Sequence, residues 1–488
     1  MDSDKFLILI EMLERESAAR VASEVARLSE NSAFQQTLLD IQASNQQTIE
    51  QLNATIIGLH ATIGSLMEEI RLLKGPKKNS HNSSIPPSKD ENRPLKKTNS
   101  LRKPSGKKPG GQQGHDGNTL LMSSSVDIIE HHTPQFCNCC GLGLDAVEGK
   151  LLNRRQVIDI PAVLPTYTEH RIFAKSCSCG HTTAGSFPNG VNAPVSYGTN
   201  THAQIAYLHT RQYMPVARIA EHFRVLYNMA ISQGTICNIL GRFADKAVSA
   251  YELIKTKVAA AAVVGADETG MKINGKKNWF WTWQSKFATY IVAATNRAYQ
   301  TVTDHFPLGF PNAILVHDCW SSHLSTTAQG HQLCIAHLLR ELNYFKQKYN
   351  CLWSGKIFEL FMQALQLKKK LQPDQYGKPI KERSEIEATL SELCTRAIDP
   401  AYPEVLTFQK RILKHRDHIL TFLYEYEVPA HNNASEQAIR NVKVKLKVSG
   451  MFKSFSGANI YAIIRSITDT CIKNNQNILN AFTNIAKS

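Results

Sequence analysis

A chain of 488 residues with 42% apolar content is too long for one ordinary core and apolar enough for several, so two to four domains are expected. Its formal charge of +15 favours a polyanionic partner over a membrane, since no apolar run approaches the ~20 residues of a span. Acids in the opening "MDSDKFLILIEMLERES", where an export signal needs a basic segment, and an odd, partly clustered set of eleven cysteines predict a cytoplasmic protein with metal-bound and free thiols, not a disulfide framework.

The first predicted element is a heptad helix. Leu52, Ile56, Leu59, Ile63, Leu66, Ile70 and Leu73 alternate spacings of four and three, and Ile49 extends the series backward. Isoleucine at a and leucine at d favour a parallel two-stranded coiled coil, a narrower stripe than a globular helix needs. Gly58 and Gly64 weaken it by up to ~1 kcal/mol each. Next come residues 75–118, rich in Pro, Gly, Ser and Lys. Residues 74–108 hold eleven Lys/Arg against Asp90 and Glu91, a net of +9 and more than half of the chain's excess. Such a segment cannot fold alone and reads as a linker or an arm that tracks phosphates.

"FCNCCG" and, forty residues on, "KSCSCGH" suggest a structural zinc site. Cys137 and Cys140 have knuckle spacing, while Cys177 and Cys179 are one residue closer, with His181 nearby and the fourth ligand open. Residues 213–243 read as helix, turn, helix, with Ser232 as an N-cap, a pattern that fits a DNA reader but also any packed helix pair. From 261 the pattern turns to strands: "AAVVGADETG", a hairpin marked by Asn274-Gly275, "FATYIVAATN", and "NAILVHDCW" ending at Asp318. "CIAHLLRELNYF" begins a helix, residues 352–425 are mainly helical, and the polar helix bearing Glu436 follows.

Three acids stand out. Asp267 and Asp318 are each expected at the end of an apolar strand, where burial accounts poorly for a charge and a site accounts for it well. Glu268 competes with Asp267 on spacing alone. On a mixed sheet flanked by helices, these acids and Glu436 can meet at one edge, where divalent cations would offset their repulsion; oxygen ligands point to Mg²⁺ or Mn²⁺. Arg440 and Lys443, four and seven residues after Glu436, share its helical face and suit a phosphodiester. The plain alternative is a solvated i,i+4 pair between Glu436 and Arg440.

With those residues in view, the chain resembles the transposases of the insertion sequence 66 family over nearly its whole length. The motifs are "NSHNSSIPPSKD", "GGQQGHDG", "CNCCG", "ADETGMKINGK", "LVHDCWSSH", "CIAHLLREL" and "NNASEQAIRNVKVKLKVSGMFKSFSGA", in the family's order. The resemblance implies a ribonuclease-H-like core with an Asp-Asp-Glu triad, carried onto Asp267, Asp318 and Glu436, and a helical insertion in the 117 residues between the last two. Cys334 and His337 match the family's C-x-x-H motif, and Lys443 matches a lysine thought to contact DNA near the cut. His431 and Gln437 depart from the family's usual aspartate and arginine, and the second cysteine pair is contracted.

The expected fold is therefore multidomain α+β, with a ribonuclease-H-like mixed α/β catalytic core. Its parts are a helical, coiled-coil dimerisation region (1–74), a basic flexible linker (75–120), a zinc-binding region (121–190) and a helix-turn-helix-like DNA-binding region (191–258). The first part of the core (259–345), a helical insertion (346–428) and C-terminal core helices with Glu436 (429–488) complete it. The expected function is metal-dependent cleavage at element ends and strand transfer into target double-stranded DNA. It would be carried out near the nucleoid by a homodimer or larger assembly, with accessory proteins of the element as further partners. The rivals are a nuclease of the same fold without strand transfer and a non-catalytic, zinc-containing DNA-binding protein.

Overall fold

The computed structural model describes residues 3–29, 32–74, 78–79, 82–83, 120–188 and 190–488. Two long helices open the chain, α1 (Ser3–Ser29) and α2 (Ser32–Lys74), and α2 carries the predicted heptads. Within one chain its apolar stripe is uncovered: Ile56 and Ile63 are each 49% exposed and Leu59 57%. The side chain of Leu73 and most of the basic arm lie outside the described residues. Where the arm is described, it rests on the helices beyond the sheet. Asn82 Nδ2 donates to Gln347 Oε1 at 2.8 Å, and Lys78 Nζ lies 3.8 Å from Glu404.

Strands β1 (Ala174–Ser176) and β2 (Thr182–Ala184) pair antiparallel around the second cysteine pair. Helices α3 (Thr199–Thr210), α4 (Val216–Tyr227) and α5 (Gln233–Ala259) follow. Ser232 caps α5, its Oγ accepting from the Thr235 amide at 3.0 Å. The helix runs well past Phe243, where the helix-turn-helix pattern ends, because Ala244, Ala247, Ile254 and Val258 continue its buried face. Ile236, Ile239 and Phe243 share one apolar cluster with Trp281, Trp283 and Leu315 of the sheet, so these helices are continuous with the core.

The sheet consists of β3 (Val263–Ile273), β4 (Lys276–Gln284), β5 (Thr289–Ala294), β6 (Phe310–His317) and β7 (Ala328–Leu333), in the order β5-β4-β3-β6-β7. The first three form an antiparallel meander, and β6 and β7 run parallel to β3. Asn274 and Gly275 take positive φ values of 45° and 78°, as a tight hairpin turn whose twist matches its strands requires. Short helices α6 (Tyr299–His305) and α7 (Ser321–Leu324) flank β6.

Beyond the sheet, α8 (Ile335–Tyr349), α9 (Leu352–Lys370), α10 (Lys381–Thr395) and α11 (Pro403–Lys414) build a second core. Leu342, Phe345, Phe361 and Phe408 fill it, and Ile314 and Val316 of β6 belong to the same cluster. The chain then returns as α12 (Asn433–Ser449), against β3 and β4, and α13 (Phe455–Lys473), against β5 and α5, and closes with α14 (Ile478–Lys487). Among the described residues no helix is long and apolar enough to cross a membrane.

Candidate active site

The twofold alternation of a strand separates the neighbouring acids of β3. Glu268 shares its face with Ala266, on the side of Trp281 and the α5 cluster, and is fully claimed there. Its Oε1 pairs with Arg297 and its Oε2 meets His323 Nε2 at 2.7 Å. Burial pushes this carboxyl up, but His323 and Arg297 more than offset that and hold it below its ordinary value. Glu268 is thus a buried ion with both oxygens partnered. Asp267 points the other way, sharing the Gly265 face.

Asp318 directly follows the last residue of β6, as expected. Asp267 does not end its strand: β3 continues to Ile273, because β4 keeps pairing with it and sets Asp267 opposite Thr282. The two acids nevertheless meet in register. Val263 pairs with Ile314 and Gly265 with Val316, and the same offset continued sets Asp267 level with Asp318. Burial raises the Asp267 carboxyl well above its ordinary value, with the charges of Glu268 and Asp318 adding to the shift. Each carboxylate is steered locally, Asp267 Oδ1 by the Glu268 amide at 2.8 Å and Asp318 Oδ1 by the Trp320 amide at 3.0 Å.

Glu436 reaches this face because α12 touches β3 where the sheet has no side chain. A Cβ at Gly265 would lie 2.4 Å from Ser435 Oγ and 2.9 Å from Asn432 Oδ1. Asn432 Nδ2 also donates to the Ala266 carbonyl at 2.6 Å. Glu436 is the next residue after Ser435, and its side chain is 20% exposed. Its Oε2 lies 3.9 Å from the exposed Arg440, so the i,i+4 pair exists, but Oε1 faces inward, 3.7 Å from Arg340 and 3.9 Å from His337 Nδ1. Lys443 is half-buried on the same face, its Nζ donating to the Gly270 carbonyl at 3.0 Å.

His337 ties the acids together. Its charge pulls down the Asp267 carboxyl, that of Asp318 raises the imidazole, and Glu436 is beside it. Burial lowers the His337 pKa, but the adjoining Cys334 side chain dominates and holds it up at about 9. Cys334 shows the converse: burial raises its thiol, and His337 brings it below its ordinary value. A cleft of about 170 Å³ opens here, lined among others by Asp318, Cys334, His337 and Glu341. Among the described residues, the ligand atoms that gather within 4.8 Å of one another are those of Cys334, His337 and Glu436; the three acids are not so gathered.

Residues 194–460 match the family model described as Transposase IS66 family, a span that runs from just before α3 into α13 and contains every residue of this cleft. The chain belongs to the IS66 transposase family. Its function is of the transposase type, with DNA as the implied partner. A second model, described as a family of unknown function (DUF6444), matches residues 35–120. No curated protein matches the chain.

The cysteine pairs of this IS66 transposase lie outside the matched span. Each sits on a tight turn closed by a positive-φ glycine. Gly141 N donates to Cys137 O and Gly180 N to Cys177 O, both at 2.9 Å, with φ of 74° and 84°. The backbone amide of Cys140, then that of Cys139, lowers the Cys137 thiol, and the Cys179 amide does the same for Cys177. The two turns do not converge into a set of three or more thiols within 4.8 Å. Arg340, Asn432, Ser435 and Gly265 are the site residues that sequence reasoning missed; only Arg340, one turn beyond His337, carried a local signal.

Proposed function

We propose that this transposase is of the DDE type, that its sheet and flanking helices are a ribonuclease-H-like core, and that Asp267, Asp318 and Glu436 hold Mg²⁺ or Mn²⁺. The observation that supports the reading is the register: β3 and β6 pair in parallel with an offset that, continued, sets Asp267 level with Asp318, and α12 docks at Gly265 through Ser435, the residue before Glu436. The donor set fits hard divalent ions. Burial, with like charges adding, raises the Asp267 carboxyl, and Glu436 Oε1 is buried without a hydrogen-bond partner. When bound, such ions supply Lewis-acid assistance to attack and departure at phosphorus.

The chain's own residues do the rest. The amides of Glu268 and Trp320 fix the two aspartates, and Asn432 and Ser435 fix the height of Glu436. Arg440, 72% exposed at the rim, would meet a DNA phosphate, while Lys443 is held nearer the sheet. Water would hydrolyse one phosphodiester at each element end and release a 3′-hydroxyl. That hydroxyl would then attack target DNA, displacing a 3′-oxygen in line, so no covalent protein intermediate is needed.

The uncovered heptad stripe of α2 would pair two chains. Cys137, Cys140, Cys177 and Cys179 would hold structural Zn²⁺, since both turns present thiols biased toward thiolate. Residues 191–258 and the basic arm would bind the double-stranded element ends, with the element's accessory proteins as further partners. A nuclease without strand transfer shares the same acids, and a zinc-containing DNA-binding protein would not need them. Product analysis separates the three. Wild type and Glu436→Gln are incubated with labelled DNA flanking the gene, Mg²⁺ and a target plasmid. Cleavage and joining, lost in the variant with DNA binding intact, is expected. Cutting without joining would leave the nuclease, and binding without either chemistry would overturn the enzyme reading.

A further inference from the structure

Beside the oxygen ligands of the proposed centre lies a second donor set of different chemistry. Cys334, His337 and Glu436 each offer one ligand atom within 4.8 Å of the other two. They come from two elements: Cys334 is the N-cap of α8, His337 lies in its first turn, and Glu436 is in the first turn of α12. His337 Nδ1 and Glu436 Oε1 are both buried, face each other at 3.9 Å, and neither makes a hydrogen bond. Apart from the loose ion pair of Oε1 with Arg340 at 3.7 Å, neither atom has a close hydrogen-bonding partner, which is costly unless something bridges them. A proton shared directly between them would need about 1 Å less.

We propose that Cys334, His337 and Glu436 bind a thiophilic divalent ion, with zinc as the type. Sulfur, imidazole nitrogen and one carboxylate oxygen form a borderline-soft set that Mg²⁺ avoids and Zn²⁺ accepts at ~2.0–2.3 Å. A tetrahedral ion with such bonds holds its ligand atoms ~3.3–3.7 Å apart, so the 3.9 Å gap closes with a small side-chain adjustment. Among the described residues three protein ligands gather here, and the adjoining 170 Å³ cleft, which both Cys334 and His337 line, leaves room for water as the fourth. Arg340 and Arg440, at 3.7 and 3.9 Å from Glu436, share its charge, so the sulfur must supply much of the site's negative charge. Glu436 cannot fully serve both sets. Under the DDE reading given above, on which this last point rests, a soft ion here would compete with the Mg²⁺ centre for one carboxylate.

The test is spectroscopic and needs no catalysis. Full-length wild type, Cys334→Ser and His337→Gln are stripped of metal and titrated with Co²⁺ in excess Mg²⁺. Serine is a good N-cap, so α8 should start normally in the first variant, and His337→Gln gives the same reading if that variant does not fold. Wild type is expected to bind one more equivalent of Co²⁺ per chain than either variant. The difference spectrum should show thiolate-to-cobalt charge transfer, with Co²⁺ bound at least tenfold more weakly by Glu436→Ala. Subtraction removes the contribution of the cysteines at 137–179. Equal stoichiometry in wild type and variants with a flat difference spectrum would overturn the proposal. Failure of the DDE reading would show differently, as absent Mg²⁺-dependent DNA cleavage with the cobalt equivalent intact.

Discussion

Replacing Asp267 by asparagine should abolish activity yet stabilise the metal-free protein. The β3–β6 offset, continued, sets Asp267 level with Asp318, which follows the end of the neighbouring parallel strand. Adjacent strands are ~4.8 Å apart, so the two carboxylates lie roughly 5 Å apart, and an effective dielectric of ~20 then gives a repulsion of about 3 kcal/mol. Burial raises the Asp267 carboxyl most, and the charge of Glu268 adds to that of Asp318. Asparagine keeps an oxygen to accept from the Glu268 amide, so little is lost. After screening and relaxation a gain of about 1–2 kcal/mol is expected, or an increase of roughly 2–6 °C in Tm. The sign follows from the raised carboxyl. The folded state binds this proton more tightly than the unfolded chain. Its contribution is fully present below the unfolded value near ~3.9 and is lost as pH rises through the folded one. Thermal melts in chelator should therefore show Asp267→Asn above wild type at neutral pH, with the gap closing on acidification. Mg²⁺ at ~100 times its Kd should add about 2.7 kcal/mol to wild type and much less to the variant. A variant less stable than wild type in chelator, or one that keeps the full Mg²⁺ response, would refute the reasoning.

The neighbouring acid should behave in the opposite way: Glu268→Gln strands Arg297 and His323 and should cost about 3–5 kcal/mol in urea unfolding. Gly265→Ala forces a Cβ onto Ser435 and Asn432, which should cost about 1–3 kcal/mol and lift Glu436 off the site. Its DNA cleavage should fall far more than its stability, and unchanged cleavage would show that α12 can shift freely. Ile56→Asp with Ile63→Asp should turn a dimer into a monomer by light scattering, because both place a charge at a positions of the uncovered stripe of α2. A monomeric wild type would remove the stripe's assigned role.

Much of the fold was legible because its signals are local. Asn274-Gly275 specifies its own turn, Ser232 its own cap, and the alternating heptads of α2 their own helix. β7 was not legible. Its "AQGHQL" has no apolar alternation, and it is a strand because β6 pairs with it, Leu315 opposite His331. α5 was underestimated because the helix-turn-helix pattern ended the reading at Phe243, although Ile254 and Val258 continue the buried face. In the site, acids and cations advertised themselves by type, but their supports did not. Nothing near Gly265 in sequence indicates that residues 432 and 435 will press against it, because that contact exists only after the helical insertion brings the chain back. Asp267 and Glu268 are equivalent by spacing, and only the fold shows that one of them is buried against Arg297 and His323.

The central claim is that Asp267, Asp318 and Glu436 form one centre for hard divalent ions. Crystals soaked in Mn²⁺ and measured for anomalous scattering test it most directly. The account predicts a peak within bonding distance of carboxylate oxygens of both Asp267 and Asp318, with Glu436 at that ion or at a second one ~3.5–4 Å away. Manganese bound only elsewhere, with the two aspartates bare, would contradict it.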